Sequence, residues 1–159
     1  MSDNAETAAS PQTGTAGWLT VNDLNANLGA LAGTLGVRFT EASLERCVAT
    51  MPVEGNTQPY GLLHGGASVA LAETVGSMAA VLAAGSGRAA LGLDISATHH
   101  RAVRTGTVTA TATPLSVGRT VGSFDISVRD EQGRRVCTAR LTCQLRDQPP
   151  SGGGVRPAG

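Results

Sequence analysis

The 159-residue chain is predicted to form one α+β domain, in which a single curved antiparallel sheet wraps around one long central helix. Two observations predict this class. Residues 61–84 are small or apolar at nearly every position, as in a buried helix. Two strand-like segments precede that run, and four segments rich in Val, Thr and Ile follow it. A helix this apolar needs more cover than one sheet gives, so we expect an oligomer.

The elements follow in the order helix, two strands, central helix and four strands. Thr20 and Asp23 form a capping-box-like pair before a short amphipathic helix with leucines at helical spacing. A polar loop, 54–60, leads into the central helix, which ends near the Gly85-Ser-Gly87 breaker. The predicted strands are 37–40, 44–53, 89–100, 107–115, 120–129 and 134–146, the last four in a meander.

The two ends of the chain differ in composition from its middle. Residues 1–17 and 148–159 are rich in Ser, Thr, Gly, Pro and Ala, so we predict disordered tails on either side of a domain at 18–147. Residues 1–17 lack the order of a signal peptide, basic and then apolar. The three cysteines form no metal-ligand pattern and are expected as buried, reduced thiols in a cytoplasmic protein.

The charge balance narrows the classes of partner. Twelve basic and twelve acidic residues cancel, and no basic block stands out. This argues against a nucleic acid or a membrane surface bound by bulk electrostatics, and leaves room for a small anionic ligand held by one or two arginines. Residues 62–84 are long enough to span a membrane, but Glu73, His64, three hydroxyl residues and three glycines favour a buried helix of a soluble protein.

Glu73 is the most informative residue, because it is the one formal charge between Glu54 and Arg88. It lies in the middle of the apolar run. Burial of an ionised carboxylate in such a place costs several kcal/mol unless the group is paired, hydrated or protonated. A chain that keeps a carboxylate there is expected to use it.

The start of the central helix is the second candidate feature. The first N–H groups of a helix have no partner within it, and the macrodipole places partial positive charge there. Glycine at 65 and 66 lets a ligand oxygen approach this backbone, which could then hold an oxyanion. A tight turn with close backbone packing explains Gly65 and Gly66 about equally well.

Glu73 and Gly65 cannot act on one carbonyl from the same helix. Eight residues of helix separate them by about 12 Å. If two such helices pack antiparallel across a dimer, the start of one meets the middle of the other, which predicts a composite site. Ser77 shares the face of Glu73 and could hold its carboxylate or a water, although a small residue there also suits helix packing.

Four further polar residues flank the central helix or follow it on a strand. Gln58 could donate to a ligand carbonyl, and His64 could cap the helix or orient its neighbours. His99 and His100 are successive on a strand and should point to opposite faces. Neither pairs with Cys or another His at metal-ligand spacing, so no metal is predicted.

The segment that ends at Glu73, Tyr60-Gly-Leu-Leu-His-Gly-Gly-Ala-Ser-Val-Ala-Leu-Ala-Glu73, resembles the signature of hotdog-fold acyl-CoA thioesterases. The subgroup is the phenylacetate-degradation type, which includes 4-hydroxybenzoyl-CoA thioesterases with a catalytic helix glutamate. The likeness extends over residues 37–146. It implies a curved antiparallel sheet of about six strands around the helix, edge-to-edge homodimers, and often tetramers made as dimers of dimers.

The resemblance also implies roles for the candidate residues. Glu73 matches the catalytic carboxylate, acting as nucleophile or as base for water, and Gly65 matches the backbone donor to the thioester carbonyl. Gln58 and His64 match polar residues near that carbonyl. Ser77 falls where the family often has a threonine or serine.

The coenzyme A thioester would be the substrate, and no resident cofactor is expected. Arg101 takes the place of an arginine near the nucleotide, with Ala102 instead of the proline that often follows it. Arg119 and Thr120 match positions that contact the substrate in some relatives, and Gly66 is expected beside it. Solvated surface arginines explain Arg101 and Arg119 almost as well.

Three functions remain open from the sequence. The first is hydrolysis of a small aryl or medium-chain acyl-CoA. The second is a non-catalytic module that binds acyl-CoA or an acyl-carrier protein. The third, hydration of an enoyl-CoA, would use Asp94 and His99, but an offset of five residues on a regular strand places these side chains on opposite faces.

Overall fold

The computed structural model describes residues 18–147 and 155–157. Most of the two segments predicted as tails lies outside these residues. Within the C-terminal segment, Val155 packs against the core. The Arg156 carbonyl accepts a hydrogen bond of 3.0 Å from the Asn27 side chain.

The elements are α1 (Val21–Ala26), α2 (Gly29–Thr34), β1 (Arg38–Ala42), β2 (Cys47–Pro52), α3 (Gly65–Ala84), β3 (Ala89–His99), β4 (Thr107–Val117), β5 (Val121–Arg129) and β6 (Arg135–Arg146).

The predicted α+β class is confirmed: six antiparallel strands form one sheet in the order β1-β2-β4-β5-β6-β3, and α3 packs across one face. The predicted four-strand meander is wrong, because β3 pairs with β6 at one edge and not with β4. The connection from β3 to β4 therefore runs past the start of α3, where the Val103 carbonyl accepts a hydrogen bond of 2.7 Å from Leu63 N–H. Turn signals mark where a strand ends, but not which strand it joins.

The predicted first helix is two helices. Thr20 and Asp23 form the capping box that starts α1, as predicted. The chain then breaks before α2, because Gly29 takes a positive φ of 72°, which a right-handed helix cannot continue through. The leucine spacing therefore spans two short helices rather than one.

Helix α3 is the core helix of the sheet. Gly76 lies so close to β6 that a Cβ there would come 2.7 Å from Leu141 Cδ2. As expected, one sheet does not cover α3 on every side: on the remaining face Glu73 is exposed and Ser77 is half-buried. Among the helices in the described ranges, α3 is long and apolar enough to cross a membrane, but 56% of the tested window is buried inside the domain.

Strand β3 lies at an edge and contains a bulge. Its register with β6 shifts between Gly92 and Asp94, so Leu93 is the extra residue. The bulge keeps Gly92 and Ile95 on the face toward α3, although they are an odd number of residues apart. Leu93 is 60% exposed, and the outward row of backbone groups along β3 has no neighbouring strand among residues 18–147.

All three cysteines are free and buried, as predicted. Burial, with a smaller contribution from the Glu41 charge, raises the pKa of the Cys47 thiol from 9.0 to about 12. Burial and, second, the Glu73 carboxylate raise the pKa of the Cys143 thiol to about 11. The neutral thiols therefore fit the core, and the thiolates do not.

These shifts predict a loss of stability in alkali. The pKa of the Cys47 thiol is higher in the folded state than in the unfolded state, where it is about 9. Below pH 9 this thiol therefore does not change the stability of the fold with pH. Above pH 9 the unfolded chain loses the proton first, so the stability of the folded state falls. Cys47 alone should lower the free energy of unfolding by about 1.4 kcal/mol per pH unit there. Urea unfolding between pH 7 and 10.5 measures this slope, and Cys47→Ala should reduce it. All twelve basic residues are arginine, so no lysine titration overlaps.

Candidate active site

The first turn of α3 contains backbone N–H groups that the helix itself does not use. His64 is the N-cap, and its Nδ1 accepts a hydrogen bond of 2.8 Å from Gly66 N–H. Its carbonyl accepts one of 3.2 Å from Ser68 N–H. In the part of the chain that the structure describes, Gly65 N–H has no acceptor. Because Nδ1 acts as an acceptor, the neutral His64 ring carries its proton on Nε2. The His64 cap thus stabilises the helix start without using the Gly65 N–H.

A cavity of about 430 Å³ opens beside this donor. Three of the residues that line it, Gln58, Gly65 and Arg101, were predicted from the sequence as site residues. The other lining residues were not predicted as part of the site. Its walls come from the loop before α3, from the first turn of α3, and from the connection after β3. The lining residues are Gln58, Leu62, Leu63, Gly65, Ser68, His99, His100, Arg101, Ala102 and Val136.

Gln58 lines the cavity from a fixed loop. Its backbone N–H donates to the Leu62 carbonyl at 2.8 Å, and its own carbonyl accepts from Gly61 N–H at 2.9 Å. These bonds hold the backbone and leave the side-chain amide without a partner among residues 18–147. Arg101, at the cavity rim, likewise forms no ion pair within the described ranges. The pocket therefore offers an amide and a cation whose hydrogen-bonding groups are not already used.

His99 lines the cavity, although the sequence does not predict it as a residue of this site. Its ring lies directly over the start of α3, so that a Cβ on Gly65 would come 2.9 Å from His99 Nε2. His100 points the other way, with Nε2 at 3.0 Å from Thr138 Oγ1, which confirms that the two histidines face opposite sides. Strand alternation predicted this opposition. It could not tell which histidine faces the helix, because that depends on the bulge and on the β3–β6 pairing.

Glu73 lies outside this cavity in its own subunit. It is exposed on the side of α3 that the sheet does not cover, so the expectation of a carboxylate buried within the chain is wrong for a single subunit. One carboxylate oxygen, Oε1, lies beside Gly92 of β3, 3.3 Å from where a Cβ on that residue would stand. Ser77, one turn later, is half-buried. Glu73 and Gly65 are thus separated along one helix, as their spacing predicted.

Three residues predicted to contact the substrate are placed differently. Gly66 lies at the helix start, but its N–H already donates to the His64 ring. Arg119 and Thr120 lie at the opposite end of α3, where the Arg119 carbonyl accepts a hydrogen bond of 2.6 Å from Arg88. One subunit therefore does not bring Arg119 and Thr120 to the cavity.

The geometry removes the basis for a hydratase. Asp94 is exposed and paired with Thr142 on the outer face of the sheet, whereas His99 faces α3. The two side chains cannot share a substrate, as strand alternation predicted. Among residues 18–147 and 155–157, no three His, Cys, Asp or Glu side chains lie close enough to hold a metal.

Comparison with known proteins agrees with this arrangement. A family model described as the thioesterase superfamily matches residues 60–137. The proofreading thioesterase EntH of Cronobacter turicensis is 49% identical over 126 residues, which cover 78% of this chain and 92% of that protein. The chain belongs to the thioesterase superfamily. The resemblance seen in the sequence is confirmed, and with it the expectation of a thioester hydrolase.

Solved structures with the same hotdog fold are thioesterases. A thioesterase from Haemophilus influenzae has a TM-score of 0.78 and 38% identity, covering 84% of this chain and 98% of that one. A thioesterase from Staphylococcus aureus was solved with a glutamine replaced by alanine. It has a TM-score of 0.70 and 30% identity, and the match covers 73% of this chain and 98% of the Staphylococcus aureus chain. A second structure of that protein carries alanine in place of a glutamate. The alternative of a non-catalytic binding module finds no support in these relatives.

The contact between Gly65 and His99 predicts that Gly65→Ala impairs the thioesterase without unfolding it. The added methyl must displace the His99 ring or the helix start, and a shift at this candidate site should lower kcat/KM by about 10-fold or more. Initial rates of thioester hydrolysis measure this. Gly33→Ala, where the methyl meets nothing within 4 Å, is the matched control.

A second substitution tests the cause. In a His99→Ala background the ring is gone, and the Gly65→Ala change should cost little further activity. An equal loss in both backgrounds would show that the ring is not what Gly65 accommodates.

Proposed function

We propose that this thioesterase hydrolyses a small aryl or medium-chain acyl-CoA to the free acid and coenzyme A in composite sites shared by two subunits. The observation that carries the proposal is the unused Gly65 N–H at the mouth of a cavity, on the same helix as an exposed Glu73. Each subunit would supply the oxyanion donor of one site and the carboxylate of the other.

The helix start suits a thioester carbonyl. Gly65 N–H has no acceptor in the described part of the chain, and the helix macrodipole adds partial positive charge at this end. The free amide of Gln58 lines the same cavity and can donate to the same oxygen. Donors fixed before the reaction stabilise the developing oxyanion more than donors that must reorganise. His64 would act indirectly, by holding the helix start in place.

A second copy explains the position of Glu73. The carboxylate lies on the uncovered face of α3, beside the unpaired edge strand β3. Exposed edge strands join other strands readily, and a two-fold axis makes the same edge meet itself. Pairing of β3 with β3 of the partner would bring the two α3 helices antiparallel. Glu73 would then face the start of the partner helix, and its uncovered apolar neighbours would be buried.

Solved relatives support the choice of residues. In the thioesterase from Staphylococcus aureus, the glutamine and the glutamate selected for replacement are fifteen residues apart. Gln58 and Glu73 have the same spacing here. The shared spacing supports Gln58 as the residue near the carbonyl and Glu73 as the catalytic carboxylate.

Two routes give the same products. In one, a Glu73 oxygen attacks the carbonyl carbon and expels the coenzyme A thiolate, which is then protonated. Water then cleaves the resulting anhydride and restores the Glu73 carboxylate. In the other, Glu73 takes a proton from water as the water attacks. Ser77 could hold the carboxylate or the water. Single turnover in ¹⁸O water distinguishes the routes, because only the anhydride route can place label in Glu73.

The cavity sets the class of acyl group. Its volume of about 430 Å³ is within the range of small-ligand pockets, and its apolar walls include Leu62, Leu63 and Val136. This suits an aromatic ring or a medium aliphatic chain. Arg101 at the rim would meet a coenzyme A phosphate, and contacts from Arg119 and Thr120 stay a prediction. We also retain the expectation of a cytoplasmic enzyme.

The direct test is thiol release from about a dozen acyl-CoAs, run on the unaltered protein and on Glu73→Ala. Loss of a catalytic carboxylate should lower kcat by about 10²- to 10⁴-fold, with a much smaller change in KM. Glu73→Gln keeps the size of the side chain and should be similarly inactive. Absence of thiol release from every substrate would refute the proposal, as would full activity of Glu73→Ala.

Mixing inactive subunits tests the composite site. Glu73→Ala and Gln58→Ala subunits, co-expressed with different tags, should form mixed dimers in which one site has both residues intact. Random pairing in a two-fold dimer then restores about a quarter of full activity. The matched control is each variant expressed alone at the same concentration. If activity in the mixture is only the average of the two single variants, both residues act within one subunit.

A further inference from the structure

Gly92 lies within a strand, where glycine is a poor choice. It belongs to β3, which forms an edge of the sheet, and it takes no positive φ that would require glycine. Glycine within a strand costs about 0.5–1 kcal/mol relative to alanine because more backbone freedom is lost on folding. A glycine there often marks a bulge or the close approach of another group. Both are present at Gly92.

The group that approaches Gly92 is the Glu73 carboxylate. A Cβ on Gly92 would stand 3.3 Å from Glu73 Oε1 and 3.9 Å from Leu141 Cδ1, so the vacant position faces α3. The bulge assists, because the shift between Gly92 and Asp94 turns Leu93 outward while Gly92 keeps its inward orientation. The Glu73 side chain is otherwise exposed to solvent. Among residues 18–147, no side chain holds its carboxylate by a hydrogen bond or an ion pair.

We propose that Gly92 is a positioning residue for hydrolysis: the missing side chain and the adjoining bulge leave the space in which the Glu73 carboxylate takes its reactive orientation. This inference rests on the proposed catalytic role of Glu73. A methyl group at 3.3 Å from Oε1 is closer than nine in ten observed contacts of a Cβ, so one of the two groups must move by a few tenths of an ångström. Glu73 is the flexible partner and moves at little cost in stability.

The reaction is much less tolerant of that movement than the fold. A displacement of about 1 Å in a reacting group can cost roughly 100-fold in rate, so a displacement of a few tenths of an ångström can cost up to about 10-fold. Gly92→Ala should therefore lower kcat by about 10-fold, and Gly92→Val by more. KM should change by less than about threefold, because Gly92 does not line the cavity around Gln58 and Gly65.

Steady-state kinetics of Gly92→Ala with the best acyl-CoA of the panel, together with its unfolding midpoint and its size in solution, test this first step. Ser96→Thr is the matched control, because it adds one methyl group to the same strand on its outer face, where Ser96 is exposed. An unchanged kcat for Gly92→Ala would overturn the inference. So would an equal loss in Ser96→Thr, because the effect would then belong to the strand as a whole.

A double-mutant cycle tests whether Gly92 acts through Glu73. In a Glu73→Ala background no carboxylate remains to be displaced, and Gly92→Ala should leave the residual rate unchanged. A loss of similar size in both backgrounds would overturn the positioning role while leaving the catalytic role of Glu73 intact. If instead Glu73→Ala alone is fully active, the proposed function fails first. The two failures are therefore distinguishable.

Discussion

One packing interaction organises the whole molecule: the apolar face of α3 lies across one face of a six-stranded sheet. Contact close enough to exclude a side chain at Gly76 fixes the helix against Leu141 of β6. The start of α3 then falls beside the end of β3 and the loop that follows it. The cavity, the free Gly65 donor and the His99 ring all result from that placement. The face of α3 that carries Glu73 is left exposed, apart from the contact of its carboxylate with Gly92 of β3.

The same helix thus serves two different electrostatic purposes. Its start provides partial positive charge and an unused N–H, which suit an oxyanion. Its middle carries the carboxylate, two turns away and on the uncovered side. One subunit holds both halves of the proposed chemistry without being able to combine them. In the proposed dimer, the free edge of β3 and the apolar surface around Glu73 would both contact a second copy of the chain.

The features around Glu73 and Gly65 have a common physical character, since both depend on the absence of a side chain. Gly65 leaves room for the His99 ring, and Gly92 leaves room for the Glu73 carboxylate. Glycine is costly in helices and strands, so its use at these two contacts needs a compensating benefit. Close approach of a polar group to the backbone is the benefit that the geometry indicates.

The sequence by itself determined the class of fold, the central helix, the six strands, the opposed faces of His99 and His100, and the distance between Gly65 and Glu73. These follow from local periodicity, turn residues and helix rise, all of which act over a few residues. Only the tertiary structure decided that β3 pairs with β6 and that two helices replace one. It also decided that His99 is the histidine over Gly65, and that Gly92 faces Glu73. Those depend on which distant segments meet, and non-local strand pairing is not encoded in any one segment.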